Sequence, residues 1–140
     1  VGGLDIQAID RSDATYDIAI CSHVIEHVGD DRKALRDLLR IVKPDGLLYL
    51  AFPDPFREEV TRDWGFPKPE KHGHWRVYGS DVVKRFAAYV TDQPVLAYLG
   101  EDPVTGEWEG AFLLPLSAGR YRWIVERLGS SVSPFSGPQF

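Results

Sequence analysis

The stretch YDIAICSHVIEHVGDDRKALRDLLRIVKPDGLLYLAFP, residues 16–53, decides the fold. It opens with an apolar, β-branched run at 16–22, which is typical of a buried strand. A second apolar run at 47–52 predicts another buried strand. Because a predicted helix with short connections separates the two runs, the stretch predicts a βαβ unit. Such a unit implies a parallel sheet and a right-handed crossover.

The predicted helix between these strands covers residues 30–43. Apolar residues recur there every three to four positions and form one apolar face. Asp30 or Asp31 can cap its start, since a carboxylate accepts hydrogen bonds from the free N–H groups of the first turn. Pro44 and Gly46 end it.

The rest of the chain continues the alternation of strands and helices. Further strands are predicted at 4–9, 94–100 and 109–116 (the last two as a hairpin), and further helices at 80–90, with Ser80 as cap, and at 119–128. Residues 54–78 lack clear periodicity and predict a long loop. The Ser/Pro/Gly-rich segment 129–140 predicts a flexible tail after one domain at 1–128.

The composition suits one globular domain of 140 residues, with 44% hydrophobic and 26% charged residues. A net charge of -5 argues against broad binding to nucleic acid or to anionic membranes. No apolar run approaches the roughly 20 residues that span a bilayer. The single cysteine, Cys21, favours a reducing, cytoplasmic setting.

The motif His23-x-x-Glu26-His27 follows the first of the two buried strands. Within a long helix, this pattern would bind zinc and be typical of a peptidase. Here the motif follows a strand directly, and Gly29 interrupts the chain before the next helix, which argues against a peptidase. A commoner role for Glu26 and His27 is to orient the loop through hydrogen bonds to backbone groups.

Residues 16–53 resemble the second half of a class I S-adenosylmethionine (SAM)-dependent methyltransferase of the type 11-like group. Tyr16 and Asp17 match the aromatic-Asp pair that opens the family's fourth strand. RIVKPDG, residues 40–46, matches the family's helix ending, with Asp45 in place of the usual first glycine. The resemblance implies an α/β, Rossmann-like fold, with a mostly parallel sheet and an antiparallel last strand.

The resemblance extends over about residues 4–116, and HWRVYG, residues 74–79, resembles a segment of some members. The family's glycine-rich loop after its first strand, and the acidic residue that ends its second strand, have no counterpart in this sequence. Residues 1–128 therefore match a partial, truncated domain with a bare sheet edge. Such an edge predicts that further elements, or a second copy in a homo-oligomer, cover it.

Five residues are implied by the resemblance to bind SAM as the cofactor. Members often place an acidic residue twelve positions before the Asp of the aromatic-Asp pair, which is Asp5 here, followed by Ile6. The Asp5 carboxylate would accept a hydrogen bond from the adenine amino group, and the Ile6 N–H would donate to the ring. Cys21, Ser22 and His23 fall at the carboxyl end of the strand and would line the methionine and sulfonium region.

The activity implied is methyl transfer from SAM to an acceptor, a small molecule or another group, that no residue identifies. His23, His27 and His74 are candidate catalytic bases if the acceptor must lose a proton. Some O-methyltransferases of the superfamily carry Glu-x-x-Glu-His after the fourth strand and bind a divalent metal there with a further histidine. Here His23 replaces the first Glu, which leaves Glu26 and His27 as metal candidates, with His72 or His74 as a further ligand.

Three functions therefore stay open for this sequence. The first is a SAM-dependent methyltransferase, and the second is a non-catalytic methyltransferase-like domain for binding or assembly. The third, a minor alternative, is a metal-dependent O-methyltransferase that uses His23, Glu26 and His27.

Overall fold

A five-stranded sheet organises the fold in a computed structural model that describes residues 3–53, 56–86, 92–101, 103–106 and 108–135. The strands are β1 (Tyr16–Ser22), β2 (Val42–Ala51), β3 (Arg62–Lys68), β4 (His74–Val77), β5 (Leu96–Glu101), β6 (Trp108–Pro115) and β7 (Val132–Pro134). The α-helices are α1 (Asp31–Ile41), α2 (Val82–Phe86) and α3 (Ala118–Leu128). The sheet has the order β1-β2-β6-β5-β7, and β3 and β4 form a separate pair.

The strand directions confirm the predicted α/β fold. β1 and β2 pair in parallel, with Ile18 opposite Leu47 and Cys21 opposite Leu50. β6 lies antiparallel between β2 and β5, as predicted for the inserted strand. Three strands, β1, β2 and β5, therefore run in one direction, while β6 and β7 run in the other.

Helix α1 joins β1 to β2 and forms for the reasons that its sequence indicates. Asp30 is the N-cap, and its side chain accepts a hydrogen bond from Lys33 N. The chain becomes extended at Val42, so β2 begins before the predicted position 47. Gly46 is required there, since a Cβ at this position would lie 2.8 Å from the Asp17 carbonyl oxygen.

Both faces of β2 are covered, as the alternation along this strand requires. Leu48 and Leu50 belong to a large apolar cluster with the buried face of α1. Leu47 belongs to a smaller cluster with Ile124 of α3. Within the described chain, the helices are too short or too polar to cross a membrane.

The predicted strand at 4–9 is wrong: these residues form turns. Their backbone groups bind side chains of α1 rather than a neighbouring strand. Ile9 N–H donates to Asp37 Oδ2 at 2.7 Å, and Arg40 Nη2 donates to the Ile9 carbonyl oxygen at 2.8 Å. The apolar pattern that resembled a strand instead buries Ile6 and Ile9 in the core.

The predicted loop at 54–78 is wrong over most of its length, because β3 and β4 form an antiparallel hairpin there. Asp63 lies opposite Arg76, and Lys68 lies opposite His74. A 3-10 turn, Pro69–Lys71, connects the two strands. This element is called the β3–β4 hairpin below.

Two further predictions concern the second half of the chain. Helix α2 lies inside the predicted helix at 80–90. Positions 87–90 of that prediction are outside the described residues. The predicted cap, Ser80, lies two residues before the start of α2. Part of the predicted flexible tail is ordered, because β7 pairs with β5. The end of that tail, 136–140, is outside the described residues.

Candidate functional site

The carboxyl end of β1 begins the site, as predicted. Cys21 is buried, and burial raises the pKa of its thiol to about 12. Ser22, the last residue of β1, is exposed. His23 N–H donates to the Ala51 carbonyl oxygen at 3.0 Å, so the pairing with β2 extends to His23. His23 has a left-handed backbone, with a φ of 54°, which turns the chain away from the sheet.

After His23 the chain forms a single 3-10 turn, Ile25–His27. Ile25 is fully buried and anchors the turn in the core. Because His23 lies before this turn with a left-handed backbone, it does not share a helix with His27. The geometry agrees with the argument against a peptidase.

The Glu26 side chain is 1% exposed, and no other described residue donates a hydrogen bond to either of its carboxylate oxygens. Oε1 lies 3.8 Å from His23 Nδ1 and 4.0 Å from His27 Nε2. Burial raises the pKa of Glu26, and its own backbone amide and the two imidazoles offset only part of the rise. No other described residue of the loop therefore hydrogen-bonds this side chain, contrary to the interpretation that Glu26 orients the loop through bonds to its backbone.

His74 of β4 lies beside His27, with ring centroids 4.5 Å apart in an edge-to-face arrangement. Burial, and then the neighbouring imidazole of His27, lower the pKa of His74. One ligand atom from each of Glu26, His27 and His74 lies within 4.8 Å of the other two. The ring of His72 is 6.1 Å from that of His74, so all four histidines of the chain gather in one region.

Arg76 of β4 positions this loop, although the sequence does not predict that role. Its side chain is 1% exposed. Its guanidinium donates to the carbonyl oxygens of Val28 at 2.6 Å and Gly29 at 2.9 Å, and more weakly to that of Ile25 at 3.4 Å. Nε donates to Asp63 Oδ2 at 2.9 Å. The loop that holds Glu26 and His27 is therefore bound to the β3–β4 hairpin.

A second set of contacts extends this polar cluster to the helices. Asp31, an alternative cap in the sequence, is buried and accepts hydrogen bonds from Tyr78 Oη at 2.9 Å and Arg85 Nε at 2.7 Å. Arg85 also donates to Asp63 at 2.8 Å. Two arginines thus balance two aspartates. The one signal in the sequence was the HWRVYG segment at 74–79, in which the side chains of the arginine and the tyrosine are buried.

Two of the five predicted cofactor residues, Ile6 and Cys21, line a groove at the β1 edge of the described sheet, whereas Asp5, Ser22 and His23 are not among its lining residues. Its volume is about 300 Å³, and its lining is mainly apolar and includes Ile6 and Cys21. Asp5 is exposed, and its carboxylate accepts a hydrogen bond from Gln7 N at 2.8 Å. Among the described residues, none accepts a hydrogen bond from the Ile6 N–H. The structure thus brings Ile6 and Cys21 together, and it gathers the histidines beyond the end of β1.

Comparison with curated proteins gives relatives that are methyltransferases. The chain is 29% identical over 117 residues to the ubiquinone/menaquinone biosynthesis C-methyltransferase of Pasteurella multocida, with 81% of this chain and 44% of the relative covered. A 41-residue segment is 39% identical to the ubiquinone biosynthesis O-methyltransferase of Rickettsia akari, covering 29% of this chain and 16% of that protein. The chain thus spans less than half the length of these relatives.

Comparison with solved structures supports the same fold. A SAM-dependent methyltransferase from Thermotoga maritima superposes with a TM-score of 0.54 at 11% identity, over 80% of this chain and 61% of that one. At this identity the likeness concerns the fold alone. The family described as methyltransferase domain matches residues 2–88, more than half of the sequence. The chain therefore belongs to the methyltransferase domain family.

Proposed function

We propose that this domain takes part in transferring a methyl group from SAM to an acceptor. The observation that carries the proposal is the groove at the β1 edge, lined by Ile6 and Cys21, in a chain of the methyltransferase domain family. Open α/β sheets bind ligands at the carboxyl ends of their strands, which is where this groove meets the turn at His23. When bound, SAM supplies the activated methyl group.

Residues in the groove and beside it in the sequence suit an adenosyl group. Asp5 is exposed and can accept a hydrogen bond from an amino group, and its contact with Gln7 N fixes its orientation. The Ile6 N–H is an available donor for a ring nitrogen. Cys21 is buried and uncharged, and with Ser22 it forms the end of β1, next to the proposed methionine and sulfonium region.

His23 is our first candidate for a general base, because it directly follows the proposed cofactor residues and its side chain is 55% exposed. His27 and His74 are the other candidates. A lowered pKa keeps His74 neutral at physiological pH, which a base requires. The protein's main contribution would be to hold the acceptor in line with the sulfonium methyl group.

Calorimetric titration of SAM into the purified protein tests this proposal. We expect micromolar binding that weakens about tenfold or more in Asp5→Ala, which loses a charged hydrogen-bond acceptor. Asp10→Ala is the matched control, since Asp10 is also exposed in the same segment, and it should bind SAM like the wild type. Folded protein that does not bind SAM would refute the proposal.

The alternative is a non-catalytic methyltransferase-like domain used for binding or assembly. It predicts a folded protein without SAM affinity, so the same titration separates the two functions.

The acceptor can be sought among precursors of ubiquinone and menaquinone, since the two curated relatives are named for those pathways. Methyl transfer to such precursors would be followed by mass spectrometry. A metal-dependent O-methyltransferase that uses His23, Glu26 and His27 predicts in addition that a chelator abolishes transfer without affecting SAM binding.

A further inference from the structure

We propose that Glu26, His27 and His74 bind one divalent first-row transition metal ion, which joins the loop after β1 to the β3–β4 hairpin. The proposal does not depend on methyl transfer. It rests on the geometry of three side chains that come from two separate segments of the chain.

The first argument is the state of the Glu26 carboxylate. It is 1% exposed, and no other described residue donates a hydrogen bond to it. A buried carboxylate without partners is unfavourable, and proteins relieve it with a proton, a cation or a metal ion. His27 Nε2 lies 4.0 Å from Glu26 Oε1. This distance is too long for a hydrogen bond, but it leaves room for an ion between the two atoms.

The arginines nearby do not neutralise Glu26. Arg76 donates to Asp63 and to loop carbonyl groups, and Arg85 donates to Asp31 and Asp63. The two guanidinium groups are thus matched by two carboxylates. This leaves Glu26 facing the imidazoles of His23 and His27, and imidazole is a metal ligand in its neutral form.

The distances are close to those of a bound ion. Zinc lies about 2.0–2.2 Å from imidazole nitrogen and carboxylate oxygen, so two ligands of one ion lie at most about 4 Å apart. The three ligand atoms here are within 4.8 Å of one another. A bound ion therefore requires the ligand atoms to approach one another by less than about 1 Å, which we expect side-chain rotations of His27 and His74 to supply.

The ligand types select the class of metal. Two imidazoles and one carboxylate suit zinc, cobalt and iron, whereas magnesium and calcium prefer oxygen ligands. His27 is exposed and His74 is partly exposed, which gives an ion a route from solvent. Three protein ligands leave at least one coordination position for water or another molecule.

The test is calorimetric titration of Zn²⁺ into purified protein that has been freed of metal with a chelator. We expect one Zn²⁺ per chain with micromolar or tighter affinity, and no comparable binding of Mg²⁺. His74→Ala and Glu26→Gln should each weaken Zn²⁺ binding about tenfold or more.

The matched control is His72→Asn. His72 lies next to the site but outside the ligand group, and asparagine tolerates its left-handed backbone, with a φ of 56°. This variant should bind Zn²⁺ within about twofold of the wild type. Circular dichroism would confirm that each variant is folded.

Co²⁺ gives a readout on the wild-type protein that does not depend on how the variants fold. An intense visible absorption would indicate bound Co²⁺ with nitrogen ligands, and Zn²⁺ should displace it. Lack of Zn²⁺ binding by the wild type, or equal binding by folded His74→Ala, would overturn the proposal. Because SAM affinity is measured separately, failure here leaves the proposed function unaffected, and the reverse also holds.

Discussion

Nη1 of Arg76 lies 2.6 Å from the carbonyl oxygen of Val28 and donates a hydrogen bond to it, across 48 positions of sequence. This contact attaches strand β4 to the loop that follows β1. The loop carries Glu26 and His27, and the strand carries His74. The relative position of these three side chains therefore depends on the buried Arg76, which is not one of the three.

Replacing Arg76 with leucine should destabilise the protein by about 3–5 kcal/mol, because three loop carbonyl groups lose their donor and Arg85 alone remains to balance Asp31 and Asp63. Urea unfolding followed by circular dichroism would measure the change. Arg62→Leu is the control, since Arg62 forms an exposed ion pair with Glu58, and it should change stability by less than about 1 kcal/mol. Equal losses of stability in the two variants would contradict the role of Arg76 in holding the loop to the hairpin.

Asp63 should make the protein sensitive to acid. Burial is the largest single effect and raises its pKa, but the hydrogen bonds from Arg76 and the Gly65 N–H, with the charges of Arg76 and Arg85, together outweigh it and lower the pKa below the usual 3.8. A lowered pKa means that the ionised group stabilises the fold above pH 3.8, and that this stabilisation is lost as the pH falls through the folded-state pKa. Thermal melts from pH 7 to pH 3 should therefore show that wild type and Asp63→Asn converge in acid. A constant difference at every pH would contradict this.

Glu26→Gln should stabilise the protein in the presence of a chelator. The substitution removes a buried charge that no other described residue hydrogen-bonds, which should raise the free energy of unfolding by about 1–3 kcal/mol. Glu70→Gln, on the exposed 3-10 turn of the hairpin, should have little effect. A destabilised Glu26→Gln variant would indicate that the carboxylate has a favourable partner in the metal-free protein.

Cys21 should be unreactive in the folded protein. It is 3% exposed, and burial raises its pKa to about 12, so the nucleophilic thiolate is scarce near pH 8. Iodoacetamide labelling followed by mass spectrometry should be slow in buffer and fast in urea. Rapid labelling of native protein would mean that the end of β1 opens readily.

The exposed edge of β1 should control self-association. Ile20 is 71% exposed on this edge and also lines the proposed SAM groove, and we predict that a second copy of the chain covers it in the SAM-free protein. Ile20→Lys should shift the protein to monomer in size-exclusion chromatography with light scattering. Val104→Lys, an exposed position on the β5–β6 connection, is the control and should leave the mass unchanged. A monomeric wild type would refute the prediction.

The elements that the sequence predicts well are those whose pattern is local. β1, α1 and β2 follow from the run of residues 16–53, where apolar periodicity, the Asp30 cap and the glycine at 46 all agree. The structures of the segment 4–9 and the β3–β4 hairpin depend on contacts with residues far away in the sequence. The segment 4–9 is apolar because Ile6 and Ile9 pack in the core, although it forms no strand. The β3–β4 hairpin is polar and contains Pro and Gly, so its sequence resembles that of a loop.

The candidate site divides in the same way. Placement of Cys21, Ser22 and His23 at the end of a strand could be predicted, because strand ends are visible in the sequence. The contact between His27 and His74, and the choice of Asp30 rather than Asp31 as the helix cap, could not. Both depend on where Arg76 and Arg85 lie in the folded chain.

The sequence by itself therefore determined the βαβ unit and the position of the loop that carries Glu26 and His27. Only the tertiary structure decided that Glu26 is buried without a hydrogen bond from another described residue, and that His74 lies beside it. The physical reason is the separation along the chain of the residues that interact. Helix and strand patterns arise from contacts a few residues apart, whereas the environment of a buried charge is set by side chains about fifty residues away that reach it only after folding.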